Sequence, residues 1–148
     1  METYKQMKDR HQSEVNALPL AFAFSDKQYK EQLEAWNITE EEAAAGAIVG
    51  IGGGGFIRTS DREKVINTFN RIREEERAAI AADPDGSGYI FEMFYTELLN
   101  HEYRYTLDPA ETLDELGIDP EELQENKALK AGLERAIAKI REKGDIFD

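Results

Sequence analysis

Apolar residues recur every three or four positions in four long stretches of the chain, which is the spacing of one face of a helix. The stretches span residues 2–16, 61–82, 89–103 and 127–143. In the third stretch the apolar residues lie on several sides, which is typical of a helix at the centre of a fold. The pattern therefore predicts a mainly helical protein with helix 89–103 in its core.

Further helix starts are indicated by capping boxes. In these, a Ser, Thr or Asp side chain accepts from a backbone amide three residues on, and a Glu or Gln there reaches back. Five such pairs occur, at Ser25/Gln28, Thr39/Glu42, Ser60/Glu63, Asp108/Glu111 and Asp119/Glu122. The last two pairs also place Pro109 and Pro120 at the first helical position, where a missing N–H costs nothing.

Two regions have the pattern of strands. Large and small apolar residues alternate over residues 18–24, and residues 47–51 and 56–58 flank four consecutive glycines, as in a hairpin. The predicted fold class is therefore α+β, mainly α. We expect a single globular domain over residues 1–148, with about six or seven helices and a small two- or three-stranded antiparallel sheet.

The composition of the chain excludes several kinds of site and ligand. The chain of 148 residues has no cysteine, which excludes disulfides, thiolate metal sites and a cysteine nucleophile. The net charge of -13 disfavours nucleic acid and anionic membrane as direct ligands. The start of the chain has no apolar signal-peptide run, and the longest uncharged run, residues 43–57, is too short and glycine-rich to cross a bilayer. We expect a cytoplasmic protein of the host cell without a cofactor.

The negative charge is concentrated in one segment. Residues 78–126 carry 13 acids and one base, whereas the two flanks are nearly balanced. Two interpretations stay open, a solvated surface that keeps the protein soluble and a docking face for a basic surface of a host protein. The candidate residues of such a docking face are Tyr103, Tyr105, Glu111, Asp114, Glu115, Glu121 and Glu122.

A loop between two predicted helices resembles the first part of an EF-hand calcium loop. Asp83, Asp85 and Ser87 supply oxygen atoms at its first, third and fifth positions, and Gly88 stands at the sixth position, where that loop turns sharply. The twelfth position, where a bidentate Glu completes the calcium site, is Phe94. A weak calcium site at Asp83, Asp85 and Ser87 is therefore an alternative to a helix-ending turn built from turn-forming residues.

The glycine run at residues 50–55 matches the pattern G-x-G-x-x-G. A dinucleotide site needs a helix that begins inside this loop, so that the helix N-terminus meets the pyrophosphate, and here the next helix begins several residues later. The remaining alternatives are a flexible hairpin tip and a small-anion or nucleotide site. The latter would use the amides of Gly53, Gly54 and Gly55 with the side chain of Arg58.

Motifs of catalysis are absent, since the chain contains neither G-x-S-x-G nor H-E-x-x-H. A binding protein is therefore a better expectation than an enzyme. Glu97 and His101 share a helix face, as a metal-binding pair would. We favour a satisfied, partly buried histidine near a helix end as the role of His101.

Three segments resemble a known family. They are LPLAFAFSDKQY at 18–29, GGGGFIRTSD at 52–61 and LLNHEYRYTLDPAETLDELGI at 98–118. Over almost the whole chain the sequence resembles small uncharacterised proteins of phages and conjugative elements in gut Firmicutes, which have no known activity. The resemblance implies a mobile-element accessory protein, a class that often inhibits host defence proteins such as CRISPR effectors. Some of those inhibitors present carboxylates where nucleic-acid phosphates would lie.

Overall fold

The computed structural model describes residues 2–144, and it confirms the α+β, mainly helical class that the sequence predicts. The chain divides into two compact units. The helical unit comprises Met1–His11 and Glu74–Asp148, and the sheet unit comprises Gln12–Arg73. Each unit has a hydrophobic cluster of its own.

Helices of very different length build the helical unit. They are the first part of α1 (Tyr4–Asn16), the last part of α4 (Arg62–Ala81), α5 (Tyr89–Asn100), α6 (Tyr103–Thr106), α7 (Ala110–Glu115), α8 (Pro120–Glu125) and α9 (Lys127–Gly144). Helix α5 supplies Ile90, Phe94 and Leu98, which are fully buried, and Leu129 on α9 is equally enclosed. The central position predicted for this helix is therefore confirmed.

The long central helix ends earlier than the apolar pattern indicates. It stops at Asn100, because Glu102 has a left-handed backbone with φ 58° that breaks the helical path. The chain then forms the one-turn helix α6 and turns again at Leu107, where φ is 57°. The apolar residues after residue 100 thus belong to a separate element.

Two glycines let the loop before α5 pack against α9. A Cβ atom on Gly86, whose φ is +73°, would lie 2.1 Å from the carbonyl oxygen of Ala128. A Cβ on Gly132 would lie 2.4 Å from Cγ2 of Ile90 and 3.0 Å from the carbonyl oxygen of Gly86. Real Cβ atoms do not approach so closely, so the backbones touch here only because both residues lack side chains.

The sheet unit contains three antiparallel strands in the order β1-β3-β2. Its elements are the end of α1, β1 (Ala21–Phe22), α2 (Asp26–Ala35), α3 (Glu40–Glu42), a π-helical turn (Ala43–Ala47), β2 (Ile48–Gly52), β3 (Gly55–Arg58), a 3-10 turn (Thr59–Asp61) and the start of α4. Leu18, Ile57 and Val65 form its buried cluster. The predicted hairpin is confirmed, whereas the strand predicted over residues 18–24 shortens to two residues that pair with Gly55 and Phe56.

The caps follow the sequence in most places. Thr39 and Glu42 form a complete capping box, and the side chains of Ser25 and Asp119 accept backbone amides at the starts of α2 and α8. The box predicted at Ser60 is wrong, because Ser60 is the middle residue of the 3-10 turn that precedes α4. The box predicted at Asp108 is wrong as well, because α7 begins after Pro109 and the carboxylate of Asp108 accepts the amide of Ala110 instead. A further box, between Thr3 and Gln6 at the start of α1, was not among the predicted ones.

Replacing Gly86 by alanine should destabilise the protein strongly. The new methyl group would need the left-handed backbone and would also press on the carbonyl of Ala128. We expect a loss of about 2–4 kcal/mol in the free energy of unfolding, measured by urea denaturation. The matched control is Gly117→Ala, which also has a positive φ, of +69°, but meets no atom within 4 Å. The free energy of unfolding of that variant should fall by about 1 kcal/mol. An equal loss in the two variants would contradict the close packing at Gly86.

Candidate functional site

An open groove of about 620 Å³ lies in the helical unit, between the C-terminal end of α4 and helix α8. Its lining combines apolar residues with charged and polar ones. The apolar lining residues are Ile80, Ala81, Pro84 and Ala128, and the charged and polar ones are Asp83, Asp119, Glu121, Glu122, Glu125, Asn126 and Lys127. Five acids against one lysine give the groove a negative potential, which attracts cations.

The short helix α8 positions most of these acids. The carboxylate of Asp119 accepts the amides of Glu121 at 2.9 Å and Glu122 at 3.1 Å, which fixes the first turn of the helix. Acids in this turn also interact favourably with the positive end of the helix dipole. Leu123 is buried, so the opposite side of α8 faces the core and the acids stay toward the groove.

Arg77 shows how the acids beside the groove bind a guanidinium group. Its Nη1 donates to the carboxylate of Glu122, and its Nη2 donates to the carbonyl oxygen of Gly117 at 3.0 Å. Gly117 follows α7, so one side chain joins the end of α7 to α8. Charge-assisted hydrogen bonds of this kind are among the stronger ones in proteins.

The other predicted docking residues fall into two groups. The acids on α7 are all exposed, and so is Tyr105, at 81%. Tyr103 is only 3% exposed and belongs to the core, so it is not part of a surface patch with Tyr105. We use the term acidic surface for the side chains of Glu111, Asp114, Glu115, Glu121 and Glu122 together with the groove.

Helix α7 is held against the end of α5 by polar contacts. The hydroxyl of Thr112, which is buried, donates to the carbonyl oxygen of Glu97 at 3.4 Å. Nδ1 of His101 lies 3.5 Å from the carboxylate of Glu111. The carboxylate of Glu97 accepts instead from Lys8 and Asn100, each at 2.7 Å. His101 is therefore partly buried and paired with the acidic helix, as favoured from the sequence.

The EF-hand-like residues bind backbone groups in this structure. The Oδ2 atom of Asp83 accepts the amides of Gly88 at 3.0 Å and Ile90 at 2.9 Å, and so satisfies free N–H groups at the start of α5. Asp85 accepts the hydroxyl of Ser87 at 2.6 Å, and this hydrogen bond lowers the pKa of Asp85. Within residues 2–144, no group of three or more acids or histidines is arranged to hold a metal ion. This geometry favours the helix-connecting turn.

The glycine loop and Arg58 are not poised together for an anion. Gly53 and Gly54 have left-handed backbones at the hairpin tip, whereas Gly55 is a buried residue of β3. The Nε atom of Arg58 donates to Asp61 at 2.7 Å, and its guanidinium lies 5.2 Å from the centre of the Trp36 ring. A bound anion would have to compete with the carboxylate of Asp61 for this cation.

A polar cluster that the sequence pattern did not reveal lies within the helical unit. His11 is buried, and its Nε2 lies 2.6 Å from a carboxylate oxygen of Glu75. Arg10 donates to Glu75 at 3.1 Å and to Glu2 at 3.0 Å. The hydrogen bond with His11, aided by Arg10, lowers the pKa of Glu75. His11 and Glu75 are more than 60 residues apart in the chain, so no local spacing in the sequence indicates this pair.

Comparison with known proteins identifies a family. A family model described as a family of unknown function, DUF7659, matches residues 3–139. No curated protein matches the chain, and no solved structure does. Among the helices of residues 2–144, none combines the length and the apolar character needed to cross a membrane.

Replacing Asp83 by alanine should destabilise the protein by about 1–2 kcal/mol, because two amides at the start of α5 lose their acceptor. The control is Asp85→Ala, an exposed residue with a purely local bond to Ser87, which should cost less. The unmodified protein and the two variants should each have the same melting temperature with and without millimolar calcium. A calcium-dependent rise in the melting temperature of the unmodified protein that Asp83→Ala abolishes would instead establish the calcium site.

The contribution of Glu75 to stability should depend on pH. Its pKa lies below the ordinary value of 4.5 in the folded protein, so its stabilising effect is present above about pH 4.5 and is lost as the pH falls through the folded pKa. Urea unfolding should therefore show Glu75→Gln to be less stable than the unmodified protein at pH 7, with a difference that shrinks below pH 4.5. The exposed neighbour variant Glu74→Gln should show no such trend.

Proposed function

The chain belongs to this family of unknown function, and we propose that it is a protein-binding protein that docks its acidic surface onto a basic surface of a partner. The observation that carries the proposal is the groove, whose lining combines five carboxylates with apolar residues. The aliphatic stem of a lysine or arginine packs on apolar atoms while its charged end meets carboxylates. The groove therefore suits the basic side chains of another protein.

The contacts of Arg77 support the same chemistry. A guanidinium already lies between a carboxylate on α8 and the carbonyl after α7, so the surroundings of the groove bind this group without rearrangement. Preformed donors and acceptors lower the cost of association. A partner arginine would find similar oxygen atoms on Glu121 and Glu125, which line the groove four residues apart on α8.

The distribution of charge favours docking over simple solvation. A region of one sign repels itself and destabilises the compact state. Solubility alone needs charge of either sign in mixed positions, and does not need a groove lined in part by apolar residues beside that charge. Concentrated carboxylates do accelerate association with a basic partner, because the attraction steers the encounter.

We extend the proposal to the class of partner, a host protein that handles nucleic acid and whose basic groove normally holds phosphates. The acidic surface offers carboxylates in place of phosphates, which is the way an inhibitor from a mobile element would block a defence protein such as a CRISPR effector. The support for this extension is the sign and density of the charge on α7 and α8, together with the resemblance to phage and conjugative-element proteins.

The two alternatives have less support. A small-anion or nucleotide site at the glycine loop would rely on Arg58, whose guanidinium is engaged by Asp61 and Trp36. A calcium site would rely on Asp83, whose Oδ2 atom already accepts two amides. A basic side chain can bind in the groove while Asp83 keeps its hydrogen bonds to the two amides.

Reversing four charges should weaken binding to basic probes. The variant is Glu111→Lys, Asp114→Lys, Glu115→Lys and Glu121→Lys, and it leaves Glu122 in place because that residue pairs with Arg77. Fluorescence anisotropy with a labelled arginine-rich peptide at low salt should show an affinity loss of about tenfold or more. The salt dependence of the remaining binding should be shallower, because fewer ion pairs form.

A matched control carries the same change in charge elsewhere. Glu31→Lys, Glu34→Lys, Glu134→Lys and Glu142→Lys alter four exposed acids outside the acidic surface. If both variants lose affinity equally, net charge and not this surface governs binding, and the proposal fails.

Pull-downs from the native host test the class of partner. Some proteins should bind the unmodified protein and the control variant but not the four-charge variant. Duplex DNA or RNA should release those proteins. Retention in the presence of nucleic acid would refute the proposed class of partner.

A further inference from the structure

A single turn of helix presents two apolar side chains to solvent within the acidic segment. In α6 and the residue that follows it, Tyr105 is 81% exposed and Leu107 is 66% exposed. Tyr103, the first residue of the same turn, is 3% exposed and anchors the turn in the core. Two large apolar side chains this exposed and two residues apart are more than the scattered apolar residues of an ordinary surface.

The backbone around this turn is strained and well held. Glu102 and Leu107, which border α6, both have left-handed backbones, a conformation that costs a leucine more than a glycine or asparagine. The amide of Leu107 donates to the carbonyl of Tyr103 at 2.8 Å, and the amide of Asp108 donates to the hydroxyl of Thr106 at 3.2 Å. Burial of the Leu107 side chain does not offset its strain, because most of that side chain is in solvent.

Strain that the fold does not explain is common where a protein binds something. Here hydrogen bonds hold the backbone of Tyr105 and Leu107 in place before any partner arrives, and a backbone that is already ordered loses little conformational freedom on binding. Rigid aromatic side chains at the centre of an interface contribute a large share of the binding energy.

The chain around the two apolar residues carries more acids than bases. Glu102, Arg104 and Asp108 are its exposed charged residues, and Arg104 is the one base among residues 78–126, which carry 13 acids. Interfaces commonly have this anatomy, with an apolar centre and a charged rim. The sign of the rim specifies the occupant, because like charges across an interface are strongly unfavourable.

We infer that Tyr105 and Leu107 form the apolar anchor of the acidic surface, and that the occupant is an apolar patch on a partner protein bordered by lysine and arginine. This inference rests on the proposed function. It adds to that function a component of binding that salt does not screen, since apolar contact persists when ion pairs are weakened.

The experiment uses two synthetic helical peptides of equal length and charge. One has a leucine stripe bordered by lysines, and in the other serines replace the leucines. At moderate salt the unmodified protein should bind the lysine–leucine peptide about tenfold more tightly than the lysine–serine peptide, as measured by calorimetry. The double variant Tyr105→Ser, Leu107→Asn should abolish this difference and leave the affinity for the lysine–serine peptide unchanged.

The matched control is Phe24→Ser, which removes an aromatic side chain that is 77% exposed in the sheet unit. It should retain the preference for the lysine–leucine peptide. Equal affinities of the unmodified protein for both peptides, or a preference that survives in the double variant, would overturn the inference and leave the proposed function standing. If neither peptide binds, the proposed function fails as well.

A second measurement separates the anchor from a structural role. Leu107→Asn replaces the strained leucine by a residue that tolerates the left-handed backbone, and it removes little buried surface. The melting temperature of the free protein should rise by about 2 °C, while the preference for the lysine–leucine peptide falls. A lower melting temperature would show that the side chain supports the fold, and would overturn the anchor assignment.

Discussion

The helical unit depends on a close approach of two backbones. The loop at Gly86 meets helix α9 near Ala128 and Gly132, at distances that leave no room for a Cβ atom. This contact sets the position of α5, whose buried side chains fill the centre of the unit. It also brings Pro84 and Ala128 together in the lining of the groove, so the candidate site and the core share one constraint.

The acidic surface is stable because buried residues on the inner sides of its short helices pack against the core. Thr112, Ile118 and Leu123 are buried on the inner sides of α7, the following turn and α8. Helices of six residues have little stability of their own in water. Packing of these inner residues therefore has to outweigh the repulsion between the carboxylates on the outer sides. The concentration of charge seen in the sequence is tolerated because it is confined to one side of each helix.

Local patterns in the sequence predict local structure well and distant juxtapositions poorly. The capping box at Thr39, the N-cap at Asp119 and the glycine hairpin depend on residues a few positions apart, and the structure contains all three. Periodicity does not distinguish Tyr103 from Tyr105, because a one-turn helix is too short to show a period. The strand over residues 18–24 is cut short because pairing with β3 extends only along Gly55 and Phe56. That limit lies in another segment of the chain.

In the candidate site, too, the local features are predictable from the sequence and the distant contacts are not. The acids of α8 are predictable as a cluster, whereas their meeting with Asp83 and Pro84 comes from the path of α4 and its loop. Arg77, supplied by that helix, gives the groove a resident competitor. A side chain tethered beside its acceptor acts at a very high effective concentration, so a single free arginine displaces it poorly. On the proposed function, such a surface would discriminate by valency, since only a ligand that brings several cations at once would gain enough contacts to exchange with the tethered one.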